Sequence, residues 1–364
     1  MITRSDSCKE ASTEDVEVAK TEHATSIRSQ YESCISSISP AEQKKIIRRI
    51  DFRLVLTLGF LYAVSLMDRN NTGDSGSSTL GEGISGWRWI FILQGTLTCV
   101  IAFAAYILVL GFPDNDDGAL GFHLSEKEAA FVVARIELDR QDVTPEKFRI
   151  GEYLSHALDL KIWGFAALFG LTTVNTYSLA YFLPLILRNG MGFSVAASQC
   201  LIAPPYIAAG IVMFTFAYFS DKYRIRSPFI LFNGCLLLIG LPLLGFVENT
   251  GVRYLGAFIT TTACNANVPC ILTWQANNIR GQWKRAFCSA TLVGTGGIGG
   301  IIGTTVFRSQ DAPAYRPGMY ATIGASGLII IITLLLDWKL SRANKRAAAG
   351  GKPIGGLEGF RYTL

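Results

Sequence analysis

The run LVLTLGFLYAVSLMDRNN (residues 54–71) decides how the rest of the chain is read. Leu54 to Met67 is a 14-residue apolar segment without a charge. As a helix rising 1.5 Å per residue it covers about 21 Å, short of a hydrocarbon core near 30 Å. To cross a bilayer the helix must continue through Asp68, Arg69, Asn70 and Asn71, carrying an acid–base pair into the outer half of the membrane. Ionisable groups at that depth are costly unless they face a water-filled cavity or a partner. Two readings follow: a titratable carboxylate beside an anion-binding guanidinium, or an interfacial pair marking where the helix leaves the lipid.

Composition agrees with a membrane setting. The 364 residues are 50% hydrophobic and 17% charged, with mean hydropathy +0.33, whereas soluble domains carry about 25% charged residues. The 28 acidic and 33 basic residues gather at the two ends, in one internal stretch and in short loops. Uncharged runs of about 18 residues or more are membrane-span candidates. Eight spans are read, at 54–73, 87–112, 162–187, 194–219, 228–247, 252–274, 286–307 and 318–338. Basic clusters at Lys44 to Arg53, Lys222/Arg224/Arg226, Arg280/Lys284/Arg285 and Lys339/Arg342/Lys345/Arg346 fall on one side. Only scattered residues such as Arg88, Arg188, Arg253, Arg308 and Arg316 fall on the other. By the positive-inside rule both termini are expected in the cytoplasm. This layout argues against a single water-soluble core, a secreted disulfide scaffold and a disordered tail protein.

Residues 1–40, rich in Ser, Thr and Glu, read as a disordered tail, with no signal peptide. Between the second and third spans, residues 113–157 are polar. Ser125-Glu126-Lys127-Glu128 has the capping-box pattern of a helix start. Phe131, Val132, Ile136 and Leu138 follow on a partly amphipathic surface helix, and Thr144-Pro145 suits a second helix start.

Within the spans, Asn175, Tyr177 and Tyr181 are the polar groups of 162–187, and the tyrosines, one turn apart, share a face. They line a polar cavity or serve as helix-packing residues. Pro204-Pro205 is expected to kink the 194–219 helix. At its inner end Asp221 precedes Lys222, Arg224 and Arg226, either as ion pairs holding two helix ends or as ordinary inner-loop charge. Asn265 and Asn267 need partners in protein or water. Gly296/Gly300 and Gly299/Gly303 are small-xxx-small pairs, a surface for close helix approach.

Catalytic signatures are absent from the sequence. HExxH, GxSxG and GxxxxGK[ST] do not occur, and His23, His123 and His156 lie outside the spans. The eight cysteines have neither CxxC nor zinc spacing and read as small buried hydrophobes. A net charge of +5, scattered, does not suggest nucleic-acid binding. No enzyme activity, cofactor or metal is expected.

The motifs together resemble a known group. Leu61 through Asn71 resembles the first helix of the anion:cation symporters of the major facilitator superfamily, and more closely the fungal allantoate-permease-like carriers. Gly86-Trp87-Arg88-Trp89 through Gly95 resembles that family's start of helix six. Asp221 to Arg226 resembles the loop between helices eight and nine, and Trp274 through Gly281 with Lys284-Arg285 the loop into helix eleven. The four motifs stand in family order over about residues 45–345.

The resemblance implies an all-α membrane protein in which two six-helix halves hold substrate near mid-membrane. It further implies a proton-coupled plasma-membrane transporter of small organic anions such as allantoate, nicotinate or vitamin-like carboxylates. Asp68 would take the coupling proton and Arg69 the anion, with Asn175, Tyr177 and Tyr181 lining the cavity and Asp221, Arg224 and Arg226 forming the gating loop. One departure is large. Only 12 residues separate Gly73 from Gly86, where the family has helices two to five, and Asp74 to Gly83 reads as a polar linker. The expected form is therefore a facilitator-type bundle truncated to about eight transmembrane helices. It would comprise a tail (1–50), a two-span remnant of the N-terminal half (51–112), a linker (113–157), a six-helix C-terminal half (158–340) and a second tail (341–364). Losing those helices weakens alternating access, because the 194–219 and 286–307 spans lose their cross-half partners. The alternative is a non-transporting remnant that forms homo- or hetero-oligomers, dimerising through the glycine-rich helix or joining a carrier.

Overall fold

An uncharged segment in lipid has nothing but its own backbone to satisfy its amides, so each apolar run is expected to be a helix. The structure, a computed structural model, describes residues 29–70, 86–108, 125–140, 148–311, 315–351, 354 and 360–364. Among them the regular structure is all α, with short 3-10 and π turns. The chain divides into two compact units, Met1–Pro145 and Glu146–Leu364.

The first unit holds α1 (Pro40–Asn70), α2 (Gly86–Leu108) and α3 (Glu126–Arg140). α1 starts well before the apolar run, because Ser39-Pro40-Ala41-Glu42 closes a capping box. Ser39 Oγ donates to Glu42 Oε2 at 2.8 Å, and Glu42 N donates back to Ser39 Oγ at 3.3 Å. Residues 29–36 are helical as well, so the tail, expected to be disordered through residue 50, is helical over most of its described part. α1 and α2 pack together. On α2, Gln94 and Ile101 are buried while Phe91, Leu93, Val100 and Phe103 are exposed. α3 begins where the capping box predicts, with Ser125 N donating to Glu128 Oε2 at 3.3 Å. Glu128 also pairs with Arg49 at 3.3 Å. The Asp74–Gly83 linker and Thr144-Pro145 lie outside the described residues.

The second unit contains α4 (Ile150–Ser155), α5 (Leu160–Leu185), α6 (Val195–Cys200), α7 (Ala203–Tyr223), α8 (Ser227–Phe246), α9 (Thr250–Asn278), α10 (Gln282–Val306) and α11 (Arg316–Ala348). The described part of each of the eight apolar runs read from sequence is mainly helical; residues 71–73 and 109–112 lie outside the described residues. One is built differently from expectation: 194–219 is not a kinked helix but two helices, α6 and α7. Pro204 and Pro205 sit in the first turn of α7, where a missing N–H costs nothing. Helices α7 to α11 are each long and apolar enough to cross a membrane. A sixth span results if 150–158 and 160–188, bent by 70°, are one broken crossing.

α5 is the centre of this unit. It packs on α9, α10 and α11, while α9 also packs on α7 and α8, and α11 on α8. Two apolar clusters fill the interior, one around Leu183, Leu241 and Leu244, the other around Phe165, Ile271 and Trp274. The outer faces are apolar too: Ile207, Ile211 and Phe214 of α7 and Ile331 and Leu335 of α11 are exposed. Outward apolar side chains on several helices are suited to lipid.

Candidate functional site

The polar residues expected to line a cavity from α5 do not share one face. Asn175 is 1% exposed and donates from Nδ2 to Ser326 Oγ of α11 at 3.0 Å. Ser326 in turn donates to the Thr322 carbonyl at 2.8 Å. Asn175 therefore ties two helices together inside the unit. Tyr177 and Tyr181 are half-buried on another face, with rings stacked at 6.4 Å between centroids and 20° between planes. The helical period separates them, since positions 175 and 177 are about 200° apart around the axis.

Below the tyrosines runs a seam between α5 and α10. Gly296, Gly299 and Gly303 are buried there, against Phe169, the Gly170 carbonyl and the Val174 carbonyl. A Cβ at Gly303 would lie 2.7 Å from the Val174 oxygen, and Ser178 Oγ donates to the Gly303 carbonyl at 3.0 Å. A Cβ at Gly300 would lie 3.3 Å from the Tyr177 ring, closer than ordinary van der Waals contact. The small-xxx-small surface expected to be left without a partner is thus occupied by α5. Gly294 and Gly297 alone of this group face open space.

A second polar layer was only half legible. Asn265 Nδ2 donates to its own helix, at the Thr261 carbonyl, 2.8 Å away. Asn267 is fully buried, and so is Asn233 of α8, which the sequence reading passed over. Both amide atoms of each are without a hydrogen-bond partner among the described residues. The register set by Gly240 against Thr260 and Gly256 against Leu244 puts Asn233 and Asn267 at one level of the α8–α9 pair. Buried amides in this state are where a water or a polar solute group could bond.

The loop between α7 and α8 brings two of its three expected residues together. Asp221 forms an ion pair with Arg226, whose guanidinium is buried while the carboxylate stays exposed. Arg224 is exposed and contributes through its backbone instead. At φ 55° it closes α7 by donating to the Asp221 carbonyl. Ser220 Oγ donates to the Ile225 carbonyl at 2.6 Å, and Ser227 Oγ to Asp337 Oδ1 at 2.7 Å, tying the loop to α11. Nearby in the same unit, Asp159 caps α5 by accepting from Lys161 N at 3.0 Å. It also pairs with Lys284 at 2.7 Å and Lys161 at 3.6 Å. Burial alone would raise its pKa. The Lys284 hydrogen bond, the Lys161 amide and the two ammonium charges outweigh that and hold the carboxyl below its ordinary value.

Asp68 and Arg69 fall on the last turn of α1, and their side chains lie outside the described residues. Among the described residues no cluster of His, Cys, Asp or Glu could hold a metal ion.

Comparison with known proteins completes the picture. The sequence pattern of the Major Facilitator Superfamily matches residues 76–304. The MFS-type transporter cnsO of Penicillium expansum is 30% identical over 290 residues, covering 77% of this chain and 55% of that protein. The high-affinity nicotinic acid transporter of Saccharomyces cerevisiae is 28% identical over 277 residues, 75% of this chain and 50% of that one. The major facilitator-type transporter hxnP of Emericella nidulans is 27% identical, covering 73% and 53%. The chain spans about half the length of the curated relatives it matches.

Proposed function

The chain belongs to the Major Facilitator Superfamily, and from that premise we propose that it transports small organic anions of the nicotinate type in symport with protons. It is an all-helical, multi-pass integral membrane protein, and its family is one of transporters rather than enzymes. The observation that carries the substrate class is the similarity to a nicotinic acid transporter over 75% of this chain. The Asp68–Arg69 pair at the apolar end of α1 supports it, since a guanidinium matches a carboxylate in fork geometry and a neighbouring acid can take the coupling proton.

In this reading Arg69 binds the anion, Asp68 carries the proton, and the stacked Tyr177 and Tyr181 line the passage. Asn175, bonded to Ser326, positions α5 rather than touching solute. Asp221 and Arg226 hold the α7–α8 loop, and both termini face the cytoplasm of a plasma-membrane carrier. Residues 74–85 stand in place of helices two to five, making this a shortened carrier. Dimerisation through the glycine helix is disfavoured, because its buried glycines already seat α5.

Radiolabelled nicotinate uptake into proteoliposomes under an inward proton gradient tests the reading. Saturable, gradient-dependent uptake is expected, lost in Arg69→Gln and uncoupled from the gradient in Asp68→Asn. Absence of uptake for nicotinate, allantoate and pantothenate alike would sink it. For the shortening, a transcript that runs uninterrupted through helices two to five between Gly73 and Gly86 is the overturning result.

A further inference from the structure

At the end of the second unit where α5 begins and α9 and α11 finish, residues 360–364 run without helical structure across the helix ends. Two asparagines grip consecutive residues of this segment by the backbone. Asn344 of α11 accepts from Tyr362 N at 2.8 Å and donates to the Tyr362 carbonyl at 2.9 Å. Asn278, the last residue of α9, accepts from Thr363 N at 2.9 Å and donates to the Thr363 carbonyl at 2.9 Å. Each amide thus reads one N–H and one C=O, as a neighbouring β-strand would. The two asparagines come from different helices, α11 and α9, and hold adjacent residues, so their side chains form a two-jawed clamp.

Other contacts add to the grip. Trp274 Nε1 donates to the Thr363 carbonyl at 2.9 Å. The Arg226 backbone N–H donates to a main-chain oxygen of Leu364. Lys161 of α5 donates to the Tyr362 hydroxyl at 2.8 Å, and the Arg280 guanidinium lies 3.9 Å from the Phe360 ring centroid. The Tyr362 and Leu364 side chains close onto the apolar cluster around Trp274. Trp274, Asn278 and Arg226 are each at most 5% exposed.

We propose that Asn278 and Asn344 form a binding site for a non-helical peptide backbone, and that its occupant is the chain's own Phe360–Leu364 segment. The segment straps together α5, α8, α9 and α11. All its partners lie within one unit, so the strap stiffens that unit as a body. Recognition of N–H and C=O groups sets the position of the segment, and the aromatic side chains at 360 and 362 set its register.

Hydrogen exchange of the full chain in lipid nanodiscs, read by mass spectrometry on the C-terminal peptide, tests this. The Tyr362 and Thr363 amides are expected to exchange at least about tenfold more slowly than in the free peptide Phe-Arg-Tyr-Thr-Leu. Thr363→Pro removes the N–H that Asn278 accepts, at a position outside every helix. It is expected to return the Tyr362 amide to the free-peptide rate while leaving exchange in α10, which the segment does not touch, unchanged. Asn278→Ala should do the same from the other side of the contact. Free-peptide rates in the unaltered chain overturn the proposal. Slow exchange that survives both substitutions overturns it equally.

Discussion

α2 of the first unit and α5 of the second are both long apolar helices, yet they solve the problem of burial in opposite ways. On α2 the described apolar side chains point mainly outward, with Phe103 70% exposed, and Ile101 is a buried exception. On α5 half of the helix, from Ile162 to Leu183, is buried against three neighbours. The difference is one of shape more than hydropathy. α5 is met by glycines on α10 that admit its backbone to contact distance, and by Ser326 and Trp274 matched to its Asn175 and Phe165. In lipid there is no water to drive helices together, so such close fits decide how much of an apolar helix is buried against its neighbours.

The seam between α5 and α10 is where this contrast breaks most sharply. Gly299→Leu would drive a side chain into the Gly170 carbonyl and Thr173. A loss of more than about 3 kcal/mol is expected, seen as failure to recover monodisperse protein in detergent. Gly297→Leu on the open face of the same helix should behave as the parent does. Next in size is Phe165→Ala. The ring is fully buried and meets Trp274 edge-on at 5.2 Å, so about 3–5 kcal/mol is expected, measured by thermal unfolding in detergent. Phe103→Ala on α2 should change the same midpoint little.

Asn175→Ala removes one hydrogen bond and leaves Ser326 its own bond to Thr322. The expected cost is about 1 kcal/mol, with the apparent affinity for solute unchanged. Tyr177→Phe should do the reverse, altering affinity at constant stability. If Asn175→Ala shifts affinity instead, the assignment of α5's two faces is wrong.

The smallest effect concerns Asp159. Its carboxyl titrates lower folded than unfolded, so the stabilisation is fully present above the ordinary value of 3.8 and fades as pH falls through the lower folded value. Lys284→Met should therefore cost on the order of 1 kcal/mol at neutral pH. The gap between variant and parent in a pH series should close only in acid below about pH 4.

Much of the architecture was readable from local features. The apolar runs became helices, the capping box at Ser125 opened α3, and the basic-loop motif at Asp221 did join two helices. Other signals were present and passed over: Ser39-Pro40-Ala41-Glu42 is as good a helix start as Ser125, and a proline pair opens a helix as readily as it bends one. The candidate site was less legible. Asn175 and Tyr177 are two residues apart and belong to different faces, and which face looks at a neighbour depends on where α10 and α11 lie. Asn233 carries no local mark at all. It matters because the α8–α9 register sets it level with Asn267.

Hydropathy and charge are sums over neighbouring residues, so the sequence alone determined that the chain is a bundle of membrane-crossing helices and where most of them run. Only the tertiary structure decided that the α10 glycines serve α5, that Asn175 bonds Ser326, and that Asn278 and Asn344 hold residues 360–364. Those outcomes rest on distances between segments far apart in the chain, and a 3.6-residue period specifies a face without naming the surface that will meet it.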